Sequence, residues 1–441
     1  MTTAPPSRTL PVVAVGVVTL VVLVLAYVDG TSAYPAFATG VVALLIAARP
    51  RFAFSPTTFV FLYYFMWYVI PPGFAERFDG VDLDSVEYQI SFLMSFCVLL
   101  IGVLSVQLGE SFGSRTPVMR TERPLPSHMA NRLIGALYAS STLMVVLIVA
   151  GSGGLSAWIA NPGDAFLNRA GTGVFVILSH FSSLLLACLS GYVAYSRKQR
   201  WPLLCFVAWL LVTAPVHGSK AQMTFLLIML VLPWMRDVRT LSARSILALC
   251  CGTGFFVLGL FLRNVEWMDA ASLVPYALNY FSTFEYLAIS VRDFDPDFLY
   301  TFFLPFQKFL TPFGINNGVE YYDMNHLLTD LYFPSAWEIR ATEQWPVETD
   351  LYLNFFFVGG LPLVAGYLFT IGYLRGVARR NDSLGAWFAS AMLTLMIISH
   401  LRGSLLNHTD FYMYPYLFVV YIALRRVPLR QASSAPATGR P

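Results

Sequence analysis

Several basic side chains of this sequence stand where a long apolar run meets a polar segment, and one more lies within the largest polar segment. These cations are Arg169, Lys220, Arg263, Arg340 and Arg402. Lys220 follows a Gly-Ser turn and begins an apolar run, and the dipole of a helix disfavours an ammonium at its N-terminus unless an anion binds there. Guanidinium groups bind phosphate through paired hydrogen bonds. The pattern predicts a phosphate-binding site, with a snorkelling lysine and an Arg169–Asp164 salt bridge as the alternatives.

Three titratable side chains could accept a proton in a reaction at such a site, namely Glu348, His326 and His400. Glu348 and Asp350 precede an apolar run, where carboxylates also stabilise the N-terminus of a helix, so helix capping is the alternative to catalysis. A carboxylate or an imidazole in contact with a hydroxyl group can remove its proton as the oxygen attacks. We therefore expect one of these three groups to be a catalytic base.

Aromatic residues are frequent in the largest polar segment, and Tyr321 and Tyr322 lie near its middle. Aromatic rings can stack on the apolar faces of sugars, and burial against a helix bundle is the alternative. Cations, carboxylates and aromatic rings together suit a substrate in which a pyrophosphate joins a sugar chain to a lipid. The cations would bind the pyrophosphate, the tyrosines would contact sugar, and the bilayer would hold the lipid.

The composition restricts the architecture that must position these groups. Of the 441 residues, 57% are hydrophobic and 12% are charged, and the mean hydropathy is +0.63. A polytopic, all-α integral membrane protein has such values, whereas a soluble domain does not. The sequence contains no Walker A, HExxH, nucleophile-elbow or CxxC motif, so ATP-driven transport, zinc hydrolysis and serine hydrolysis lack their usual residues.

Charge separates by side when the apolar runs cross a membrane in strict alternation, starting from an inner N-terminus. The inner segments then hold 20 of the 28 Lys and Arg residues and 4 of the 25 Asp and Glu residues, and the outer segments hold the other 8 and 21. Positive charge resists export, so this split predicts about 12 transmembrane helices, cytoplasmic termini and an outer candidate site. The spans are predicted at Thr9–Tyr27, Ala33–Ala48, Ala53–Ile70, Tyr88–Gln107, Leu133–Ala150, Thr172–Ala194, Trp201–Val216, Ala221–Trp234, Arg244–Leu262, Leu351–Leu374, Leu384–His400 and Phe411–Leu424.

The spans predict four parts of the chain. They are a bundle of nine spans (1–262), a large helical outer loop (263–350), three further spans (351–427) and a disordered cytoplasmic tail (428–441). Two segments of the loop, Ser272–Val291 and Phe298–Phe313, are apolar enough to cross as well. A pair of crossings would carry one arginine and three aspartates of Arg292–Asp297 to the inside, so helices that lie in the outer interface are preferred.

This layout and three local patterns resemble the bacterial oligosaccharide repeat-unit polymerases of the Wzy O-antigen type. Gly218-Ser219-Lys220 is similar to the family's Gly-Ser-Arg turn, with lysine in place of arginine. Arg169 lies in a Gly-flanked outer loop where the family often carries an arginine. The segment Tyr352–Gly360 resembles the family's Asn-Phe-Gly-x-x-Gly pattern, with an extra Phe-Val before the glycine pair.

The resemblance implies a GT-C-like glycosyltransferase in the bacterial inner membrane, with its active site on the periplasmic face. Such an enzyme transfers a growing glycan from undecaprenyl pyrophosphate onto the non-reducing end of a new lipid-linked repeat unit. The resemblance implies no nucleotide sugar, no metal and no cofactor other than the lipid carrier, which is part of the substrate. The implied partners are membrane lipid and lipid-linked oligosaccharide, with a chain-length regulator and a flippase as candidates, but no nucleic acid.

Two other functions stay open at this level. An O-antigen ligase uses the same donor with a different acceptor, and the sequence does not distinguish the two enzymes. A flippase or transporter of lipid-linked oligosaccharides is expected to carry ionisable residues within its spans. His180 is the clearest of the few such residues here, and this scarcity favours chemistry at the membrane surface over passage through it.

Overall fold

The structure is a computed structural model that describes residues 9–77, 81–118, 124–161, 165–166, 169, 171–217, 220–240, 242–243, 278, 280–310, 320–338 and 342–429. Within these ranges the ordered elements are helices, and the only strand-like contacts are two isolated bridges, Phe52 with Arg239 and Ser383 with Pro428. The predicted all-α class is therefore confirmed for the described residues.

The helices begin and end close to the predicted apolar runs. In chain order they are α1 (Thr9–Asp29), α2 (Tyr34–Ala48), α3 (Pro56–Tyr64), α4 (Val86–Gly113), α5 (Ser127–Gly151), α6 (Gly154–Ala160), α7 (Gly173–Arg197), α8 (Trp201–His217), α9 (Lys220–Met235), α10 (Thr283–Asp293), α11 (Leu304–Leu310), α12 (Met324–Tyr332), α13 (Pro334–Glu338), α14 (Val347–Phe355), α15 (Leu361–Asn381), α16 (Leu384–Leu401) and α17 (Asp410–Leu424). Local chemistry sets some of these limits. Ser55 accepts a hydrogen bond from the backbone N–H of Thr58, and Pro56 occupies the first position of α3, a combination typical of helix starts.

Six helical segments of the described chain are long and apolar enough to cross a membrane: Thr9–Asp29, Val86–Gly113, Ser127–Gly151, Gly173–Arg197, Val358–Asn381 and Leu384–Leu401. Shorter apolar helices coincide with four other predicted spans, at Tyr34–Ala48, Trp201–His217, Gln222–Met235 and Asp410–Leu424. Helices of this kind indicate a membrane-embedded protein, because helices satisfy their own backbone hydrogen bonds in lipid. The predicted span Ala53–Ile70 comprises α3 and the π-helical segment Phe65–Val69, and Arg244–Leu262 falls outside the described residues.

The two apolar segments of the large loop contain short helices where they are described. α10 has 11 residues and lies largely within Ser272–Val291, and α11 has 7 residues and lies within Phe298–Phe313. A crossing needs roughly 20 helical residues, so neither helix is long enough to cross by itself. Their location in the outer interface stays a prediction.

Contacts between residues divide the chain into two compact units. The first unit contains Met1–Arg115, Val238–Gly376 and Leu393–Tyr414, and the second contains Thr116–Asp237, Val377–Met392 and Pro415–Pro441. In the first unit α4 crosses α15 at close range. A Cβ atom at Gly109 would overlap the backbone of Phe369, and one at Gly372 would overlap that of Val106. The two glycines therefore allow the helix backbones to touch.

The second unit is built around α7, which packs against α5, α8 and α9. Gly191 of α7 lies directly against the carbonyl of Leu230, where a side chain would not fit. Arg236 forms ion pairs with Asp237 and Asp382, and its guanidinium lies 5.4 Å from the centre of the Trp387 ring. The charge at this end of α9 is thus neutralised within the unit.

Candidate functional site

Residues 401–409 run from the last residue of α16 to the residue before α17, and this 401–409 loop is the centre of the candidate site in the first unit. It carries Arg402 near its start and His408 near its end. A buried pair closes the loop, because Nε2 of His400 lies 3.0 Å from Oδ2 of Asp410 and both residues are 1% exposed. The loop is therefore fixed at the two helix ends from which it emerges.

Backbone hydrogen bonds to two buried carboxylates hold the interior of this loop. The backbone N–H of Asn407 donates to Oδ2 of Asp410 at 3.0 Å. The backbone N–H of Leu405 donates to Oδ2 of Asp350 at 2.8 Å. Asp350 belongs to α14 and is itself buried, and burial raises its pKa to about 6. Asp350 thus anchors the loop rather than presenting a free carboxylate.

His400 faces hydrogen-bond acceptors at both ring nitrogens. Nδ1 lies 2.9 Å from the carbonyl of Met396, which can only accept, and Nε2 faces Asp410. Asp410 also accepts the Asn407 N–H at the same oxygen, as a carboxylate does. The hydroxyl of Tyr367 also lies 3.1 Å from Nδ1. Both ring nitrogens of His400 are therefore engaged by neighbouring groups, so the geometry favours a positioning role for His400.

We expect Asp410→Ala to destabilise the first unit strongly, because removal of one partner from a buried ion pair costs about 3–5 kcal/mol. The midpoint of thermal unfolding in detergent should fall, and the amides of Leu405 and Asn407 should exchange hydrogen faster. Asp295→Ala, at an exposed position, is the matched control. An Asp410→Ala protein with the unfolding midpoint of the Asp295→Ala protein would contradict the assignment.

Arg402 is a cation without an acidic partner among the described residues. Its Nη1 donates to the hydroxyl of Tyr280 at 2.9 Å, and its guanidinium carbon lies 4.5 Å from the centre of that ring and 5.7 Å from that of Trp67. Within the described ranges no carboxylate lies within 4.0 Å of it. Nε of Arg402 and Nε1 of Trp67 are buried donors with no hydrogen-bond partner there. Such donors around a positive charge suit an anion.

Glu348 is fully buried at the start of α14. The hydroxyl of Tyr64 donates to one of its carboxylate oxygens at 2.6 Å, and the hydroxyl of Tyr68 donates to the other at 3.2 Å. Burial raises the pKa of Glu348 to about 7, although the two tyrosine hydrogen bonds act in the opposite direction. Both oxygens are occupied, so Glu348 is poorly placed to contact a substrate in this conformation.

The stability of the first unit should fall as the pH rises through the titration range of Glu348. The folded protein keeps the proton up to about pH 7, whereas the unfolded chain loses it near the usual pKa of 4.5. The folded state therefore binds more protons between these values, and the free energy of unfolding decreases there by about 3 kcal/mol. Glu348→Gln cannot ionise, so its unfolding midpoint in detergent should vary less between pH 4.5 and 8. Glu338→Gln, at an exposed position, should keep the full pH dependence of the unfolding midpoint. The same pH dependence in both variants would contradict the titration assigned to Glu348.

Asn354, from the motif that resembles the polymerase family, has a structural function. Its side-chain oxygen accepts hydrogen bonds from the backbone N–H groups of Thr301 and Phe302 at 2.7 and 3.1 Å. Its side-chain nitrogen donates to Oδ1 of Asp350 at 2.6 Å. The hydroxyl of Tyr352 donates to the carbonyl of Phe294. These bonds fix the segment that follows α10 against α14.

His326 belongs to a pair with Asp323 at the start of α12. Its Nδ1 donates to Oδ1 of Asp323 at 3.0 Å, and its backbone N–H donates to the same oxygen at 3.2 Å. Burial alone would raise the pKa of Asp323, but the contacts with His326 outweigh it, so this pKa is lowered. The side chain of His326 is 19% exposed, and its Nε2 has no hydrogen-bond partner in the described part of the chain. An imidazole oriented by a carboxylate at one nitrogen and free at the other is the arrangement of a general base.

The two predicted sugar-contacting tyrosines lie next to this pair. The hydroxyl of Tyr321 donates to Oδ2 of Asp330 at 2.5 Å, and its ring centre is 5.7 Å from that of Trp337. The ring centre of Tyr322 lies 4.9 Å from that of His326. The Trp337 ring centre lies 5.4 Å from that of His326, so Tyr322 contacts His326 directly and Tyr321 is connected to it through Trp337.

In the second unit, Arg169 packs on an aromatic ring and binds backbone carbonyls. Its guanidinium carbon lies 3.5 Å from the centre of the Phe166 ring, and its Nε and Nη1 donate to the carbonyls of Phe166 and Val216 at 2.8 and 3.4 Å. Burial lowers its pKa. Val216 is in the last turn of α8, and Lys220 is the first residue of α9. Arg169 thus lies near the turn that carries Lys220, although the Lys220 side chain is outside the described part.

Three predicted features fall outside the described residues, namely Arg263, Arg340 and the Arg169–Asp164 salt bridge, because Asp164 is not described. Sequence reasoning selected neither Asp323 nor Trp67 as a site residue, and it considered Tyr280 only as one of the aromatic residues of the large loop. These three residues complete the surroundings of His326 and Arg402. The Asp-x-x-His spacing at the start of α12 was a usable signal for Asp323, since Asp is a preferred N-cap residue. No local signal could have joined Trp67 and Tyr280 to Arg402.

Comparison with known proteins adds no relative to this description. No protein-family model matches the sequence, and searches of curated proteins and of solved structures find no significantly similar chain.

Proposed function

We propose that this chain is a membrane glycosyltransferase that polymerises lipid-linked oligosaccharide repeat units. It would transfer a growing glycan from undecaprenyl pyrophosphate onto the non-reducing end of a new lipid-linked unit, at the periplasmic face of a bacterial inner membrane. The observation that carries the proposal is the surroundings of Arg402. Among the described residues its guanidinium has no carboxylate within 4.0 Å, and its buried Nε has no hydrogen-bond acceptor, although Nη1 binds Tyr280. A diphosphate ester supplies both the negative charge and the acceptor oxygens.

His326 is the proposed base. In the reaction Nε2 of His326 accepts the proton of the acceptor hydroxyl, and the hydroxyl oxygen bonds to the anomeric carbon of the donor. The bond between that carbon and the pyrophosphate oxygen breaks, and the electron pair leaves with the pyrophosphate, whose added charge Arg402 stabilises. Glu348 and His400, the other two predicted bases, are 0% and 1% exposed. Their contacts indicate that Glu348 positions α14 and that His400 positions the 401–409 loop.

Arg263 and Arg340, which lie outside the described residues, and Arg169 and Lys220 of the second unit stay predicted phosphate ligands. Arg169 has no carboxylate within 4.0 Å among the described residues, which is compatible with an anionic ligand. Cationic side chains would balance the charge of the leaving group, so no cofactor is proposed. The proposed partners are membrane lipid and lipid-linked oligosaccharide, with a chain-length regulator and a flippase as candidates.

The test is reconstitution of the purified protein in liposomes with lipid-linked repeat units from the same cells. Polymerisation gives a ladder of longer glycans that stay attached to undecaprenyl pyrophosphate, and mild acid releases them from the lipid. Transfer of the glycan to an added lipid A acceptor instead would identify an O-antigen ligase. Movement of intact units across the membrane with unchanged glycosidic bonds would identify a flippase and refute the enzyme proposal.

A further inference from the structure

Lys308 and His408, which have no role in the proposed reaction, lie beside the ring of Tyr322. Nζ of Lys308, in α11, lies 4.4 Å from the centre of this ring, and the ring of His408, in the 401–409 loop, lies 4.8 Å from it. Tyr322 itself is 39% exposed. α11, the residue Tyr322 and the 401–409 loop therefore bring an ammonium, an accessible aromatic surface and an imidazole to one place.

No acidic side chain of the described ranges pairs with Lys308. Its Nζ makes one long contact, 3.4 Å, with the carbonyl of Glu320, and no carboxylate lies within 4.0 Å in the described ranges. Asp323, which acts electrostatically on His408, is already paired with His326. An ammonium held over an aromatic ring by a cation–π contact is positioned but not neutralised.

His408 provides a second unused polar atom. Its Nδ1 is buried and has no hydrogen-bond partner among the described residues. Buried polar atoms are nearly always hydrogen-bonded, so this atom, beside a cation without a carboxylate within 4.0 Å in the described ranges, is suited to a ligand oxygen. The charged groups that face His408 are Lys308, Asp323, His326 and Asp410, and the last three belong to the two pairs already described.

We propose that Lys308, His408 and Tyr322 form a subsite for a sugar that carries a negative charge, such as a uronic acid, within the oligosaccharide repeat unit. The anionic substituent accepts hydrogen bonds from Nζ of Lys308 and from the imidazole of His408, and the sugar ring contacts the exposed surface of Tyr322. A neutral sugar leaves the ammonium without a counter-charge, so the subsite discriminates by charge. The inference rests on the proposed function for its substrate class and adjoins the proposed base, His326.

The experiment measures saturation-transfer NMR between the full-length protein in detergent micelles and three probes. The probes are methyl β-glucuronide, glucose 6-phosphate and methyl β-glucoside. We expect the wild-type protein to bind at least one charged probe about tenfold more tightly than the glucoside, since charge-assisted hydrogen bonds are roughly twice as strong as neutral ones. Lys308→Met should abolish this preference, and Lys308→Arg should retain it because the charge is kept.

Lys198→Met, at an exposed position beyond the end of α7, is the matched control and should bind like the wild-type protein. Equal binding of all three probes, or an unchanged preference in folded Lys308→Met, would overturn the subsite. The thermal unfolding midpoint shows whether Lys308→Met is folded. If it is not, His408→Leu is tested instead: loss of the charge preference supports the subsite, and an unchanged preference overturns it. Reconstituted polymerisation without charge preference would refute the subsite alone. Charge preference without polymerisation would refute the proposed function alone.

Discussion

Replacement of Arg402 by alanine is expected to lower the rate of glycan polymerisation by about 100-fold to 1000-fold. Removal of one group that stabilises charge developing in a transition state has an effect of this size, and Arg402 has no other anion to neutralise among the described residues. The measurement is the initial rate of ladder formation in liposomes, at equal protein content. Arg402→Lys should recover part of the rate, because an ammonium keeps the charge but loses the paired geometry of the guanidinium.

The matched control for Arg402 is Arg292→Ala. Arg292 lies in the same predicted outer loop, its side chain is 57% exposed, and it pairs with Asp293 at 2.7 Å. Its loss should change the rate little, since exposed ion pairs contribute only about 0–1 kcal/mol. Wild-type rates in a folded Arg402→Ala protein would remove Arg402 from the pyrophosphate site and with it the main support of the proposed function.

The second large effect is expected at the pair of His326 and Asp323. His326→Ala should lower the polymerisation rate by about 10²-fold to 10⁴-fold, the usual contribution of a general base. The measurement is the initial rate of ladder formation in liposomes at equal protein content. A folded His326→Ala protein with the wild-type rate would contradict the assignment of His326 as the base.

Asp323→Asn separates catalysis from helix capping. Asparagine caps a helix about as well as aspartate, so the start of α12 and the unfolding midpoint should be preserved while the orientation of the His326 ring is lost. We expect an intermediate loss of rate with a nearly unchanged KM for the acceptor. His128→Ala, at an exposed position in α5, is the control. If His326→Ala retained full activity and Glu348→Gln lost it, the base would have to be reassigned to Glu348.

The sequence predicted the membrane-embedded helices well because each is a local property. A crossing needs a contiguous apolar run, and such a run can be read without knowledge of its neighbours. Thr9–Asp29 and Leu384–Leu401, for example, begin and end within a few residues of the predicted spans. The number of crossings, the sidedness of the chain and the location of α10 and α11 stay predictions, because they depend on the membrane as much as on the chain.

The candidate site could be predicted only in part. Arg402 was selected because a cation is unusual at the predicted outer end of a span, and His326 because an imidazole can act as a base. Glu348 was selected because it precedes an apolar run, yet it is enclosed by Tyr64 and Tyr68, and the Tyr64 hydroxyl comes from a residue 284 positions earlier. Tyr280, which binds Arg402, is 122 positions away from it. Contacts over such separations leave no periodic signal in the sequence.

The sequence by itself determined the helical class, the apolar runs and the inventory of groups able to do chemistry, because these depend on residue type and on spacing along the chain. Only the tertiary structure decided which of those groups are neutralised and which stay available. His400 and Asp350 are engaged by buried partners. Among the described residues, Arg402 and Lys308 have no carboxylate within 4.0 Å, Nε of Arg402 has no hydrogen-bond partner, and neither has Nε2 of His326. The physical reason is that desolvation and pairing arise from neighbours in space, which the fold alone brings together.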